Sequence, residues 1–137
     1  LVGLFDGKPY EVFAIEWFTK ETSLELHKIK KGRYDLFKEG EVYSEDITSE
    51  MTGEQEILTR LLSTALRHGT DIKYLVEQLN KTSDYITSFS KVVTRVLKKY
   101  IPNGVKSTAT CNGCGSKDII FEEGCSKCKS CGSSKCG

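Results

Sequence analysis

Apolar residues alternate through the first 48 positions of the chain and then change period. Val2 and Leu4 on one side, and Val12, Phe13, Ile15, Trp17 and Phe18 on the other, bracket Asp6-Gly7-Lys8-Pro9, a turn-forming run that predicts a β-hairpin. Leu24, Leu26 and Ile29, interleaved with Glu25, His27 and Lys28, predict a half-exposed third strand, and Tyr34-Asp35-Leu36-Phe37 and Val42-Tyr43 around Gly40 predict a second hairpin. From about residue 52 the spacing becomes helical. Ile57, Leu58, Leu61, Leu62, Ala65 and Leu66 fall on one face, Thr52 and Gln55 have the spacing of a capping box, and Gly69 supplies the stop. A second helix is expected over about 71–80, burying Ile72, Leu75, Val76 and Leu79. A third, over about 84–100, should bury Ile86, Phe89, Val92, Val93, Val96 and Leu97.

Strands first and helices after predict an α+β fold: N-terminal antiparallel strands packed by about three helices on one sheet face, followed by a small zinc-ribbon-like module. The expected boundaries are a domain at 1–101, a polar linker at 102–110 opened by Pro102-Asn103-Gly104, and a cysteine-rich module at 111–137. Only Ile119, Ile120 and Phe121 are sizeable apolar residues in that module. Such a segment needs something besides its own core to fold.

The cysteines supply a candidate. All six lie between Cys111 and Cys136, and their C-x-x-C pairs point to metal ligation or thiol chemistry in a reducing compartment rather than to a secreted disulfide scaffold. Two such pairs across a hairpin make a tetrahedral four-thiolate zinc site. Cys125, Cys128 and Cys131 are each three apart, so two registers compete. Cys111, Cys114, Cys125 and Cys128 are the favoured ligands, leaving Cys131 and Cys136 free. The alternative joins Cys111 and Cys114 to Cys128 and Cys131, repeats a Cys-x-x-Cys-Gly turn at both ends, and leaves Cys125 and Cys136. In either register two thiols remain on a small-residue tail, which suits a thiol–disulfide relay and equally suits incidental or spare metal-binding thiols.

Other features narrow the function. The chain has 137 residues, a 38% hydrophobic and 28% charged composition, a net charge of +1 and an isoelectric point near 7.7, so no global field recruits nucleic acid or anionic lipid. No apolar run approaches the roughly 20 residues that cross a bilayer, and no signal peptide opens the chain, which predicts a cytoplasmic protein. Lys91, Arg95, Lys98, Lys99 and Lys106 form a basic stretch read as a solvated helix face. His27 and His68 read as structural or solvated, and Glu11 and Glu16 fall on opposite strand faces.

Gly3 to Phe13, the run Leu61-Leu62-Ser63-Thr64-Ala65-Leu66-Arg67-His68-Gly69, the stretch from Val76-Glu77-Gln78-Leu79 through Ser88-Phe89-Ser90-Lys91 to Tyr100-Ile101, and the terminal array with Glu123-Gly124-Cys125 resemble the C-terminal region of adenosylcobalamin-dependent (class II) ribonucleotide reductases. The resemblance spans nearly the whole chain. It implies that residues 1–101 are the accessory domain called TSCPD and that 105–137 are its zinc tail. The Ser-Cys-Pro-Asp signature of that domain has no counterpart here, where Thr82-Ser83-Asp84 follows the second helix. In that family a C-terminal cysteine pair carries electrons to the active-site disulfide left by each turnover, and Cys131 and Cys136 match the pattern. The resemblance further implies a preceding catalytic barrel as partner, which binds adenosylcobalamin and nucleotide where this chain binds neither, an external thiol reductant, and a role in subunit association. The competing reading is a zinc-ribbon module that binds nucleic acid or protein without redox chemistry; the neutral net charge disfavours nucleic acid.

Overall fold

The computed structural model describes residues 1–15, 23–81 and 89–136. Two-residue turns with positive φ at both positions join several of its hairpins. Asp6-Gly7 (φ 51° and 72°) links β1 (Val2–Phe5) to β2 (Lys8–Val12), and Glu39-Gly40 (φ 52° and 85°) links β4 (Arg33–Lys38) to β5 (Glu41–Ser44). Turns of this hand match the right-handed twist of the strands they connect. β3 (Glu25–Lys30) pairs antiparallel with β4 in register Leu26↔Leu36, completing a β3-β4-β5 sheet that is separate from the β1-β2 pair. Among the described residues the strands therefore do not form the single sheet expected. Trp17 and Phe18, which the sequence assigns to the first hairpin, lie outside the described residues.

The side-chain alternation at the end of β2 explains the division into two cores. Val12 and Ala14 point one way, into a cluster with Leu62 and Leu66 of α1 (Gly53–Arg67), Ile72 and Val76 of α2 (Ile72–Asn80), and Val93 and Leu97 of α3 (Phe89–Lys98). Phe13, between them, points the other way and packs with Leu36 and Ile47 under the β3-β4-β5 sheet. The outer edge of β2 is closed by α1: Ser63 Oγ accepts from Val12 N and donates to Val12 O, each at 3.0 Å, and Thr59 Oγ1 accepts from Ala14 N at 2.8 Å. Two hydroxyls thus take the place of a neighbouring strand on an edge that would otherwise be open to pairing.

The helix ends follow the sequence. Thr52 and Gln55 form the expected capping box, and Asp71 caps α2 by accepting from Lys73 N at 3.0 Å. Their buried faces are narrower than the apolar periodicity suggests. Leu62 and Leu66 are buried, whereas Ile57 and Leu61 are 60% and 65% exposed, because a two-stranded hairpin covers only part of the α1 face and Ser63 turns inward to meet it. On α3 the buried positions are Val93, Thr94, Leu97 and Lys98, while Val92 and Val96 stay exposed. Ile86 and the expected helix start at 84 lie outside the described residues. The α+β class holds, with antiparallel strands, three helices and a C-terminal cysteine-bearing sheet. Among the described residues no helix is long and apolar enough to cross a membrane.

That last sheet, β6 (Ile119–Glu122), β7 (Cys125–Cys128) and β8 (Ser134–Cys136), is built onto the helices. Residues 104–107, expected as part of a free linker, run antiparallel to β6: Gly104 N donates to Phe121 O, Phe121 N to Val105 O and Ser107 N to Ile119 O, at 2.8 to 2.9 Å. Phe121, 1% exposed, completes the helical core. Glu77 of α2 fixes the same junction. Its carboxylate accepts from Thr108 N and Thr108 Oγ1, both at 2.7 Å, and from Ser107 Oγ at 3.2 Å. Burial pushes the Glu77 carboxyl up, but the Thr108 and Ser107 donors and the Lys73 charge outweigh it and hold the group below the usual range.

Candidate metal centre and disulfide

Four cysteines converge at one end of the β6-β7-β8 sheet. The sulfurs of Cys111, Cys114, Cys128 and Cys131 all lie within 4.8 Å of one another, with Cys111–Cys131 at 3.6 Å and Cys114–Cys128 at 3.7 Å. Four sulfurs placed about 2.3 Å from a central zinc stand about 3.8 Å apart along each tetrahedral edge, so the donor set has the chemistry and the spacing of a zinc site. Two turns of the same construction supply the ligands. Gly115 N donates to Cys111 O at 2.8 Å and Gly132 N to Cys128 O at 2.9 Å; Cys111 N donates to Ser116 O and Cys128 N to Ser133 O, both at 2.8 Å. Gly115 and Gly132 both need positive φ, 72° and 76°, to let the chain double back.

The repeated unit is Cys-x-x-Cys-Gly-Ser, at 111–116 and again at 128–133. Cys125-Ser126-Lys127-Cys128-Lys129 lacks the Gly-Ser, and this is the signal in the sequence that separates the two registers. A geometric reason goes with it. Cys125 and Cys128 are three apart in an extended strand, so their side chains leave opposite faces and cannot aim at one point. The structure brings Cys111, Cys114 and Cys128 of the favoured ligand set together, leaves Cys125 out, and puts Cys131 in its place.

Cys125 is instead bonded to Cys136, directly across from it in the β7-β8 register, with Cα atoms 4.3 Å apart. The expected pair of Cys131 and Cys136 is not formed. The register sorts the sheet into two faces. Ile119, Phe121 and Cys128 face inward and are buried; Glu122, Lys127 and the Cys125–Cys136 bridge share the outer face, where Lys127 Nζ and Glu122 Oε2 pair at 2.8 Å. Cys136 is exposed and Cys125 half-buried.

The electrostatics of the four-sulfur cluster favour a cation. Ser133 Oγ, 3.3 Å from Cys111 Sγ, together with the backbone N–H groups of Cys114 and Gly113, lowers the Cys111 thiol to about 6. Ser133 also lowers Cys131. Cys114 has the backbone N–H of Ser116 to lower it, yet the adjacent Cys131 and Cys128 sulfurs, burial and Cys111 push it up to about 12. Four sulfurs this close cannot all be thiolates unless a positive charge sits among them, and a divalent ion held by the four would supply it.

The remaining candidates have ordinary partners. His68 Nδ1 lies 2.8 Å from Thr64 O at the end of α1, His27 pairs with Glu25 and stacks on Phe37, and Glu11 bonds Arg67 at 2.7 Å. Glu16 lies outside the described residues. The basic stretch is not a uniform solvated face: Lys98 is 3% exposed, and Lys91 donates to Asn80 O at 3.0 Å.

A family model described as NrdJ homologue C-terminal domain matches residues 1–102. No curated protein and no solved structure matches the chain.

Proposed function

The chain belongs to the family of NrdJ homologue C-terminal domains, and we propose that it delivers reducing equivalents to the active site of its parent reductase through the Cys125–Cys136 pair. The family is the accessory C-terminal region of the class II ribonucleotide reductase type, an oxidoreductase, so the chain's partner is a catalytic region of that enzyme. The observation that carries the proposal is the division of six cysteines into four clustered sulfurs and one bonded pair on the outer face of the same sheet.

Cys111, Cys114, Cys128 and Cys131 hold zinc, which is redox-inert, neutralises the thiolates and contributes the folding free energy that the small sheet lacks. Ser133 and the backbone N–H groups of the two turns orient and stabilise those thiolates. Metal ligation keeps the four out of exchange, which leaves one dithiol free to react.

In the relay, Cys136 as thiolate attacks a sulfur of the parent's active-site disulfide, expelling the other sulfur as a thiolate. Cys125 then attacks the Cys136 sulfur of the mixed disulfide, closing Cys125–Cys136 and releasing the second active-site thiolate. Two electrons pass to the active site, which takes up two protons, and the tail is left oxidised. An external dithiol restores it and leaves as its own disulfide. Cys136 is the first nucleophile because it is the more exposed of the two. Adenosylcobalamin and the nucleotide belong to the parent's catalytic barrel, and the reducing cytoplasm is the compartment in which such a relay cycles.

The test uses the full parent enzyme with Cys125→Ser and Cys136→Ser. Each variant should retain zinc and a single turnover, which draws on the thiols already reduced in the active site, and should lose multiple turnover driven by a protein dithiol. Sustained turnover in the double variant with that reductant would refute the relay.

A further inference from the structure

β8 is an unusual strand to find docked. It has three residues, Ser134, Lys135 and Cys136, all exposed, and contributes no apolar side chain to either core. Its pairing to β7 covers Cys125↔Cys136, Ser126↔Lys135 and Lys127↔Ser134. The covalent bond sits at the Cys136 end of the strand. The other end is held by the metal-binding turn, where Cys128 N donates to Ser133 O and Gly132 has φ 76°.

Lys135 shares the inner face with Cys128 and Phe121, opposite Ser126, so it points toward the helices and away from the disulfide. Lys98 lies on that same side, next to Leu97, which shares the core cluster of Phe121. The C-terminal end of α3 lies directly under this sheet, since a Cβ placed on Gly124 in the β6-β7 turn would stand 3.8 Å from the Lys99 backbone. Lys98 is 97% buried by its 3% exposure, and no acidic group among the described residues compensates it. Burial first, then the charges of Lys135 and Lys91, hold its ammonium below the usual lysine range. A short edge strand is thus tied down covalently over a cation of its own sign.

We propose that Lys98 is a positioning residue that ejects β8 once the disulfide is reduced, so that the tail is docked when oxidised and free when it carries electrons. Reduction transfers two electrons and two protons from an external dithiol to the Cys125–Cys136 bond; the dithiol leaves as a disulfide and the tail carries two thiols. The segment from Ser134 onward then pivots beyond Ser133, so that the Cys128 N to Ser133 O and Gly132 N to Cys128 O bonds of the metal-binding turn stay in place. A reduced tail is free to reach an active site, and a spent one is withdrawn to the sheet, where its outer-face bridge is presented to the reductant. The inference deepens the relay reading and rests on it for its purpose, but docking itself is measured with no turnover.

The experiment is hydrogen exchange, read by mass spectrometry on the zinc-loaded chain, of the peptide containing Ser134–Cys136 before and after reduction by a small dithiol. The oxidised tail should be protected and the reduced tail should exchange at least about tenfold faster. Lys98→Met should recover protection in the reduced state by roughly three- to tenfold, as should about 1 M salt acting on the wild-type chain, while Lys98→Arg should release the tail as Lys98 does. Lys135→Gln, on an exposed side chain, makes the same test if Lys98→Met fails to fold. Equal protection of oxidised and reduced wild-type tails overturns the proposal, as does release that is indifferent to both charge variants and to salt. Relay failure would show instead as turnover surviving the loss of Cys125 and Cys136, whatever the tail does.

Discussion

Phe121→Ala separates a tethered cysteine module from one built into the helical core. Phe121 sits on β6, yet its ring is buried to 1% exposure in the cluster of Val12, Leu66, Val76 and Leu97, and its backbone N–H and C=O both pair with residues 104–105. Truncating a phenylalanine in such a site typically costs about 3–5 kcal/mol through lost transfer free energy and the cavity left behind. For a chain of this length that corresponds to a fall in Tm of roughly 10–17 °C. The assay is thermal and denaturant unfolding of the zinc-loaded variant followed by far-ultraviolet circular dichroism, which reports chiefly on α1, α2 and α3. The helical transition itself should shift by the full amount. A loss below about 1 kcal/mol in that transition, or a second transition confined to the sheet, would refute the shared core.

Cys131→Ser should weaken zinc binding by more than the 10- to 100-fold typical of losing an outer-shell partner, while Cys125→Ser should leave one zinc per chain, measured by competition with a chromophoric chelator. Glu77 and Asp35 should govern acid stability. Both carboxyls lie below their ordinary values of 4.5 and 3.8 in the folded chain, Glu77 through the donors described above and Asp35 through Asp46 N at 2.9 Å and Arg33. A carboxyl lowered by folding stabilises the fold above its unfolded value, and that contribution is lost as pH falls through the folded one; Tm should therefore hold near neutrality and decline below about pH 4.5. Glu77→Gln should be less stable at pH 7 and flatten that decline, and an unchanged profile would contradict the clamp.

What the sequence made legible was governed by local rules. Thr52 with Gln55, Asp71, Asp6-Gly7 and Gly40 each act within four residues, and each appears where the pattern places it. Burial was harder, because it depends on what lies opposite. Ile57, Leu61, Val92 and Val96 fit an apolar face by spacing, yet the narrow hairpin leaves them exposed, and Lys98 is buried despite its charge, next to the Lys99 backbone on which the β6-β7 turn packs. In the cysteine array, counting C-x-x-C pairs does not distinguish a pair within a strand, which diverges, from a pair within a turn, which converges. The Gly-Ser after Cys114 and again after Cys131 carries that distinction. The Glu77 clamp had no local signal, since its partners are 30 and 31 residues away.

The division of the cysteines is the central claim, and differential alkylation tests it most directly. The zinc-loaded chain is treated with a mild dithiol, alkylated under native conditions, and mapped by mass spectrometry, then chelated and alkylated with a second, isotopically distinct reagent. Cys125 and Cys136 should take the first label, and Cys111, Cys114, Cys128 and Cys131 only the second. First labelling of Cys131 with protection of Cys125 would contradict the account.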